Sequence, residues 1–224
     1  MDLGWAWAAQ SYYPGFCLTF VRHQDPATVA ELLGGGPLEL LTAEEADRVF
    51  PLSLPGSLLR CGTIPGWAFC YEDRAPIGFQ PALFQRLSAG SDVVQVVKGG
   101  DGMNIARRVV DGQQTEEFEP RSASVNRGNE PTVLLATVKR VLRDHPETSG
   151  LVAALHAISE HVGGAVPRDV LDGPLLTTIS TYTPADVTAP VSPVQHGRGR
   201  LLATFTATGE PVINRGRPSS GQSR

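Results

Sequence analysis

The sequence predicts an α+β fold: an antiparallel meander sheet flanked by short N-terminal helices and a C-terminal helical pair. Three observations carry this. Strand-like segments follow one another in hairpins instead of alternating with helices, which argues against a parallel sheet. Helical spacing of apolar residues is concentrated before and after those hairpins. Glycine (24) and proline (18) are abundant among the 224 residues, which implies many turns and short elements. The 41% hydrophobic content is enough for a substantial core in a chain of this length.

The elements follow in order. Residues 5–13 (WAWAAQSYY) place aromatics on a short helical pattern. Residues 15–22 (GFCLTFVR) read as a strand, with Phe16, Leu18, Phe20 and Arg22 on one face and Cys17, Thr19 and Val21 on the other. Asp25-Pro26 opens a helix, the acid as N-cap and the proline at the first helical position. Gly34-Gly35-Gly36-Pro37 ends it. Thr42 with Glu45 forms a capping-box pattern for a helix over 43–49. A loop at 51–56 leads into SLLRCGTI and GWAFCYE, two strands; in the second, Trp67, Phe69 and Tyr71 alternate with Ala68, Cys70 and Glu72. Residues 79–87 form a short helix with Pro81 in its first turn.

SDVVQVVK, MNIARRVV and QQTEEFE then read as a meander, with Asp111-Gly112 as a two-residue hairpin turn. Leu134, Leu135, Val138, Val141 and Leu142 make one helical stripe over 131–143. Leu151, Leu155, Ile158 and Val162 make another, stopped by Gly163-Gly164. Residues 167–171 add one more helical turn. The expected layout is a domain over 1–180, sheet-rich over 1–120 and helical over 130–172. A Pro/Gly/Arg-rich tail over 181–224 follows, with a strand at 200–208 and a disordered end from Asn214.

The net charge of −4 lacks the basic footprint of a nucleic-acid binder. From Thr181 onward, five arginines face Asp186 and Glu210, which gives the tail +3 and leaves −7 on the first 180 residues. Only this tail offers a contact for nucleic acid. No apolar run approaches the roughly 20 residues that cross a bilayer, so no membrane partner is expected. Cys17, Cys61 and Cys70 are odd in number and form no CxxC pair, and Cys17 and Cys70 lie in apolar runs. They read as buried reduced thiols. The start, MDLGWAWAAQ, has no basic region before a long apolar stretch and is not a signal peptide. A cytoplasmic location follows.

Chemistry-bearing motifs are scarce. His156 and His161 are five apart on a helix, out of phase for two metal ligands on one face, whereas His156 and Glu160 are four apart and pair on the surface. Neither glycine cluster sits between a strand and a helix N-terminus, and no G-x-x-x-x-G-K-[ST] or G-x-S-x-G occurs. No metal, cofactor or catalytic residue is expected. The front of the chain is rich in aromatics. Its ordinary reading is core packing on half-buried strands. The sharper one is a binding face made of Trp67 and Tyr71 and edged by Arg22 and Glu72.

The landmarks W-A-W, F-C-L-T-F-V-R, D-P-x-x-V-x-x-L-L-G, G-W-A-F-C-Y-E, F-Q-R-L-S-A-G-S-D-V-V-Q-V, D-G-Q-Q-T-E-E-F-E-P, R-G-N-E-P-T-V-L and A-L-H-A-I-S-E-H-V-G-G-A-V-P come in a definite order. That order resembles a family of small uncharacterised proteins common in high-GC Gram-positive bacteria, known as a domain of unknown function. The resemblance covers about residues 5–180. Members carry a similar Cys-x-Thr-x-Val-Arg strand, Trp…Glu strand and Leu-Ser-x-Gly turn. These map onto Cys17, Thr19, Val21, Arg22, Trp67, Glu72, Leu87, Ser88 and Gly90. The resemblance brings no catalytic residue and does not reach the tail after Ser180.

Three functions remain open at this level. The favoured one is a non-enzymatic binding module, immunity-like or regulatory, that recognises a protein or peptide. The second is an enzyme with a site assembled from scattered residues such as Arg22, His23, Glu72 and Asn104. The third is a nucleic-acid contact through the tail.

Overall fold

The computed structural model describes residues 5, 7–8, 15–74, 76–99, 102–122, 126–128, 132–182, 204–205 and 211–212. The chain forms two compact units, residues 1–187 and 188–224. Among the described residues, the first unit is a nine-stranded antiparallel sheet with helices on both faces.

The α+β fold is as the sequence predicts. Strand β1 (Phe16–Arg22) lies between β4 (Trp67–Asp73) and β5 (Asp92–Lys98). Every residue of β1 except Arg22 is buried, as expected of a strand covered on both faces. Beyond β5 come β6 (Asn104–Val110), β7 (Gln113–Phe118) and β8 (Asn126–Gly128). The β6–β7 turn has both central residues left-handed, Asp111 at φ 48° and Gly112 at φ 73°, the turn that matches strand twist. On the other side of β4 lie β3 (Ser57–Ile64), then β9 (Leu175–Ser180), then β2 (Glu39–Leu41) at the sheet end.

Helix α1 (Pro26–Leu32) starts where expected, with the Asp25 carboxylate accepting from the Thr28 amide at 2.9 Å. It ends at Gly34, φ 76°, where a side chain would run into the Tyr182 ring. Helix α2 (Ala43–Val49) carries the complete Thr42/Glu45 capping box. Helix α3 (Pro81–Leu87) buries Leu83, Phe84 and Leu87. With Val29, Ala30 and Leu33 from the α1 region, they cover the sheet face of Val21, Leu59, Cys61, Ala68, Cys70, Val93 and Val109.

Helices α4 (Leu134–Asp144) and α5 (Gly150–Val162) cover the opposite face, which carries Phe16, Leu18, Phe20, Phe69, Tyr71, Val94 and Val96. Helix α4 has no cap of its own. The buried Glu116 carboxylate from β7 accepts the amides of Val133, Leu134 and Leu135 at 2.7–3.1 Å instead. Helix α5 ends at the left-handed Gly163, and α6 (Arg168–Asp172) leads into β9. Among the described residues, no helix is long and apolar enough to cross a membrane.

Three strands of the sheet were not expected. β2 and β8 are three residues each, too short to show alternation. β9 (LLTTIS) shows no clean alternation because it is inserted between β2 and β3 and mostly buried. In the second unit, Thr204–Phe205 of the strand expected at 200–208 pairs antiparallel with Pro211–Val212. Of the expected N-terminal helical pattern, Trp7 and Ala8 are helical. Trp5 is described and not helical; the remaining residues of both segments, and the chain end from Asn214, lie outside the described residues.

Candidate functional site

The four residues expected to form a binding face do not form one. Successive residues of a strand point to opposite sides, so Trp67 and Tyr71 share a face that Glu72 cannot join. Register confirms the separation: Glu72 sits opposite Cys17 and Trp67 opposite Arg22, five residues or about 17 Å along the strands. Trp67 is 7% exposed beneath α5, its ring 5.6 Å from that of His161. Tyr71 packs against Trp7 and Phe16 with ring centroids 5.9 and 5.7 Å apart. Arg22 alone is exposed. The aromatic face is core, because α4 and α5 lie over it.

Glu72 is fully buried and holds the loop before α3. It accepts from the amides of Ile77 (2.8 Å) and Gly78 (3.0 Å) and from the Ser57 hydroxyl (3.1 Å). Burial raises its pKa, and these hydrogen bonds oppose the rise. Gln95 donates to the Gly78 carbonyl and Arg107 to the Phe79 carbonyl, at 3.0 and 3.1 Å. Glu72, Gln95 and Arg107, on one face of the sheet, therefore clamp residues 77–79. Cys17 lies opposite Glu72 on β1, its thiol pKa pushed up by burial and by the neighbouring Glu72. The other expected set, Arg22, His23, Glu72 and Asn104, is not brought together. Arg22 and Glu72 lie on opposite faces, and the Asn104 amide is turned back onto the Gly102 carbonyl at 3.1 Å. His156 and Glu160 pair on α5 at 3.1 Å as expected. Among the described residues, no group of three or more His, Cys, Asp or Glu side chains is placed to share a metal ion.

Two polar clusters were not foreseen. In one, Asp92 of β5 accepts from Arg108 of β6 at 3.0 and 2.9 Å and lies 3.0 Å from His161 Nε2 of α5. Burial works against the Asp92 charge, but the hydrogen bonds from His161 and Arg108 outweigh it and hold the pKa at about 2. Every oxygen of this carboxylate is engaged, so the cluster joins α5 to the sheet.

The other cluster lines a recess of about 30 Å³, the scale of one or two water molecules, between α2, α6 and the sheet. Arg60, Tyr71, Asp73, Asp47, Arg168 and Asp172 line it. Arg60 is 4% exposed and donates to the carbonyls of Leu41 (2.9 Å), Gly173 (2.7 Å) and Leu171. It thereby ties β2 to the α6–β9 turn. Burial raises Asp73 to about 6, despite the Arg74 guanidinium 3.7 Å away. Among the described residues, Asp73 Oδ1 and Arg60 Nε have no hydrogen-bond partner.

Exposed apolar residues occur on β2, α2, α6 and the loop before β3. Leu40 is 66% exposed and Leu52 74%, with Val49, Leu54 and Val170 also exposed. From Asp25 to Asp47 the chain carries six acids (Asp25, Glu31, Glu39, Glu44, Glu45 and Asp47) and no lysine or arginine. Those residues build α1, β2 and most of α2; Glu31 and Glu39 are exposed, Glu44 lies 3.7 Å from Arg48, and Asp47 pairs with Arg74. The run is visible in the sequence. Its meaning is not, because only the sheet order makes it an edge.

No curated protein and no solved structure matches the chain. A family model does match residues 1–166, most of the α+β unit, and the chain belongs to that family, a family of unknown function (DUF6461).

Proposed function

We propose that this protein is a non-enzymatic binding module that recognises a protein or peptide through the β2 end of its sheet. The observation that carries the reading is the exposure of Leu40 next to the exposed Glu39 on the strand that ends the sheet among the described residues, with Val49 and Leu52 exposed in the segments that follow. Exposed apolar residues ringed by charge are the usual composition of a recognition surface. The acidic first 180 residues suit a basic partner through complementary charge, and an immunity-like or regulatory role in the cytoplasm fits. The reduced, buried cysteines support that compartment.

The test is capture from native lysate with the full-length protein and with Leu40→Glu/Leu52→Glu. Both positions are exposed, so the variant keeps the wild-type circular dichroism and melting temperature. A partner held by the wild type and lost by the variant supports the reading. A partner held equally by both overturns it, as does small-molecule turnover abolished by Asp73→Asn.

A further inference from the structure

We infer that the β2 edge takes up an extended basic segment of its partner as an added strand, paired along residues 39–41. The inference rests on the recognition reading above and specifies the partner's chemistry and its mode of binding.

Three independent features converge on this edge. First, among the described residues β2 is hydrogen-bonded on one side only, to β9, with Glu39 opposite Thr177 and Leu41 opposite Leu175. A strand paired on one side turns alternate amides and carbonyls outward, a ready template for another strand. Natural edges are usually guarded by shortness, proline, lysine, an inward-pointing charge or a bulge. β2 is short and Pro37 precedes it, but within the strand it carries Glu-Leu-Leu, with Leu40 standing into solvent. Arg60 holds the Leu41 carbonyl from inside, which keeps the edge in place.

Second, a groove of about 370 Å³ continues the edge. One wall is Gly35 to Leu38, the residues just before β2, and the other is Ala27, Thr28 and Glu31 of α1. Gly35 forms a bridge with Ser180 at the far end of β9, but the Gly35 and Gly36 amides are taken by the Ala30 and Ile179 carbonyls and Pro37 has no amide, so main-chain pairing falls on residues 39–41 and the groove receives the rest of the peptide.

Third, charge selects the occupant. Glu31 stands in the groove wall and Glu39 on β2, both exposed, while Glu44 at the start of α2 already lies 3.7 Å from Arg48. With no base between Asp25 and Asp47, an incoming strand with lysine or arginine at alternate positions meets complementary charge. The same feature disfavours a second copy of this chain, whose β2 would bring Glu39 against acids.

The test titrates full-length protein with a ten-residue peptide of alternating lysine and valine, by calorimetry. Four comparison peptides are used: the glutamate/valine counterpart, scrambled lysine/valine, and lysine/valine N-methylated at odd or at even amides. An added strand donates only every second amide inward. One N-methylated peptide is therefore expected to bind at least about tenfold more weakly while the other keeps its affinity. Binding is expected to weaken with salt and to fall in Glu31→Lys/Glu39→Lys. Amide hydrogen exchange is expected to slow at residues 39–41 when the peptide is bound.

Equal binding of the two N-methylated peptides reduces the contact to charge alone and overturns the inference. So does failure of the lysine/valine peptide to bind, an unaffected Glu31→Lys/Glu39→Lys, or a concentration-dependent dimer that the peptide does not dissociate. If the lysate partner is lost on Leu40→Glu/Leu52→Glu while residues 39–41 gain no protection, the recognition surface stands and strand addition falls. If the partner survives those substitutions, the recognition reading itself falls.

Discussion

Two buried aspartates sit at opposite extremes, and each makes a signed prediction. Asp92 has a folded pKa of about 2, below the usual carboxylate value of about 3.8, because His161 and Arg108 bind its charged form. A depressed acid contributes stability above its unfolded pKa and loses it as pH falls through the folded value. Asp92→Asn is therefore expected to lower stability at pH 7 by about 1–2 kcal/mol, discounted for partial solvent access. The gap to the wild type in urea unfolding should close as pH falls from about 4 toward 2; a gap that stays constant refutes the assignment. Asp73 is the reverse case. Its folded pKa of about 6 lies above the unfolded value, so its charge opposes folding. That cost is absent below about pH 4 and complete above 6. Asp73→Asn is expected to raise stability at pH 7 by about 1–3 kcal/mol and to have no such effect at pH 4. An unchanged melting temperature at pH 7 would count against a charged, buried Asp73. Gly78 has no room for change, since a Cβ there would lie 2.1 Å from Glu72 Oε1. Gly78→Ala should cost about 2–4 kcal/mol in chemical denaturation.

At the scale of elements, helices and turns end where their own residues stop them, and sheet positions are set from a distance. The N-terminus of α4 shows both sides of this. Its apolar stripe is local, but its first three free amides are met by Glu116, seventeen or more residues earlier. Glu116→Ala leaves those amides without their acceptor and is expected to cost about 2 kcal/mol. Exchange of the α4 amides should accelerate before that of β1 or β4; uniform acceleration across the protein would argue against a local cap. The aromatic strand β4 behaves as a core element, because α5 lies over Trp67. Trp67→Ala is expected to cost about 3–5 kcal/mol, and a folded, equally stable variant would return Trp67 to the surface.

In the described unit as a whole, helices cover both faces of the sheet, which is why the proposed recognition surface falls at its end. Local chemistry was legible in the sequence. Asp25-Pro26, Thr42 with Glu45, Asp111-Gly112 and Gly163 each act within a few residues, and each stands where expected. The α+β class was legible as well, since hairpins and helical stripes differ in period. The candidate site was not. Alternation states which residues of β4 share a face, but no local rule states that α5, some ninety residues later, covers that face. Nor does a six-residue run, LLTTIS, state that it passes between β2 and β3 and leaves three residues at the sheet end. The sequence by itself determined the helices, the longer strands, the local caps and an acidic stretch from Asp25 to Asp47. The tertiary structure decided which of them are core and which are edge, because burial and strand order depend on contacts between residues distant in the chain.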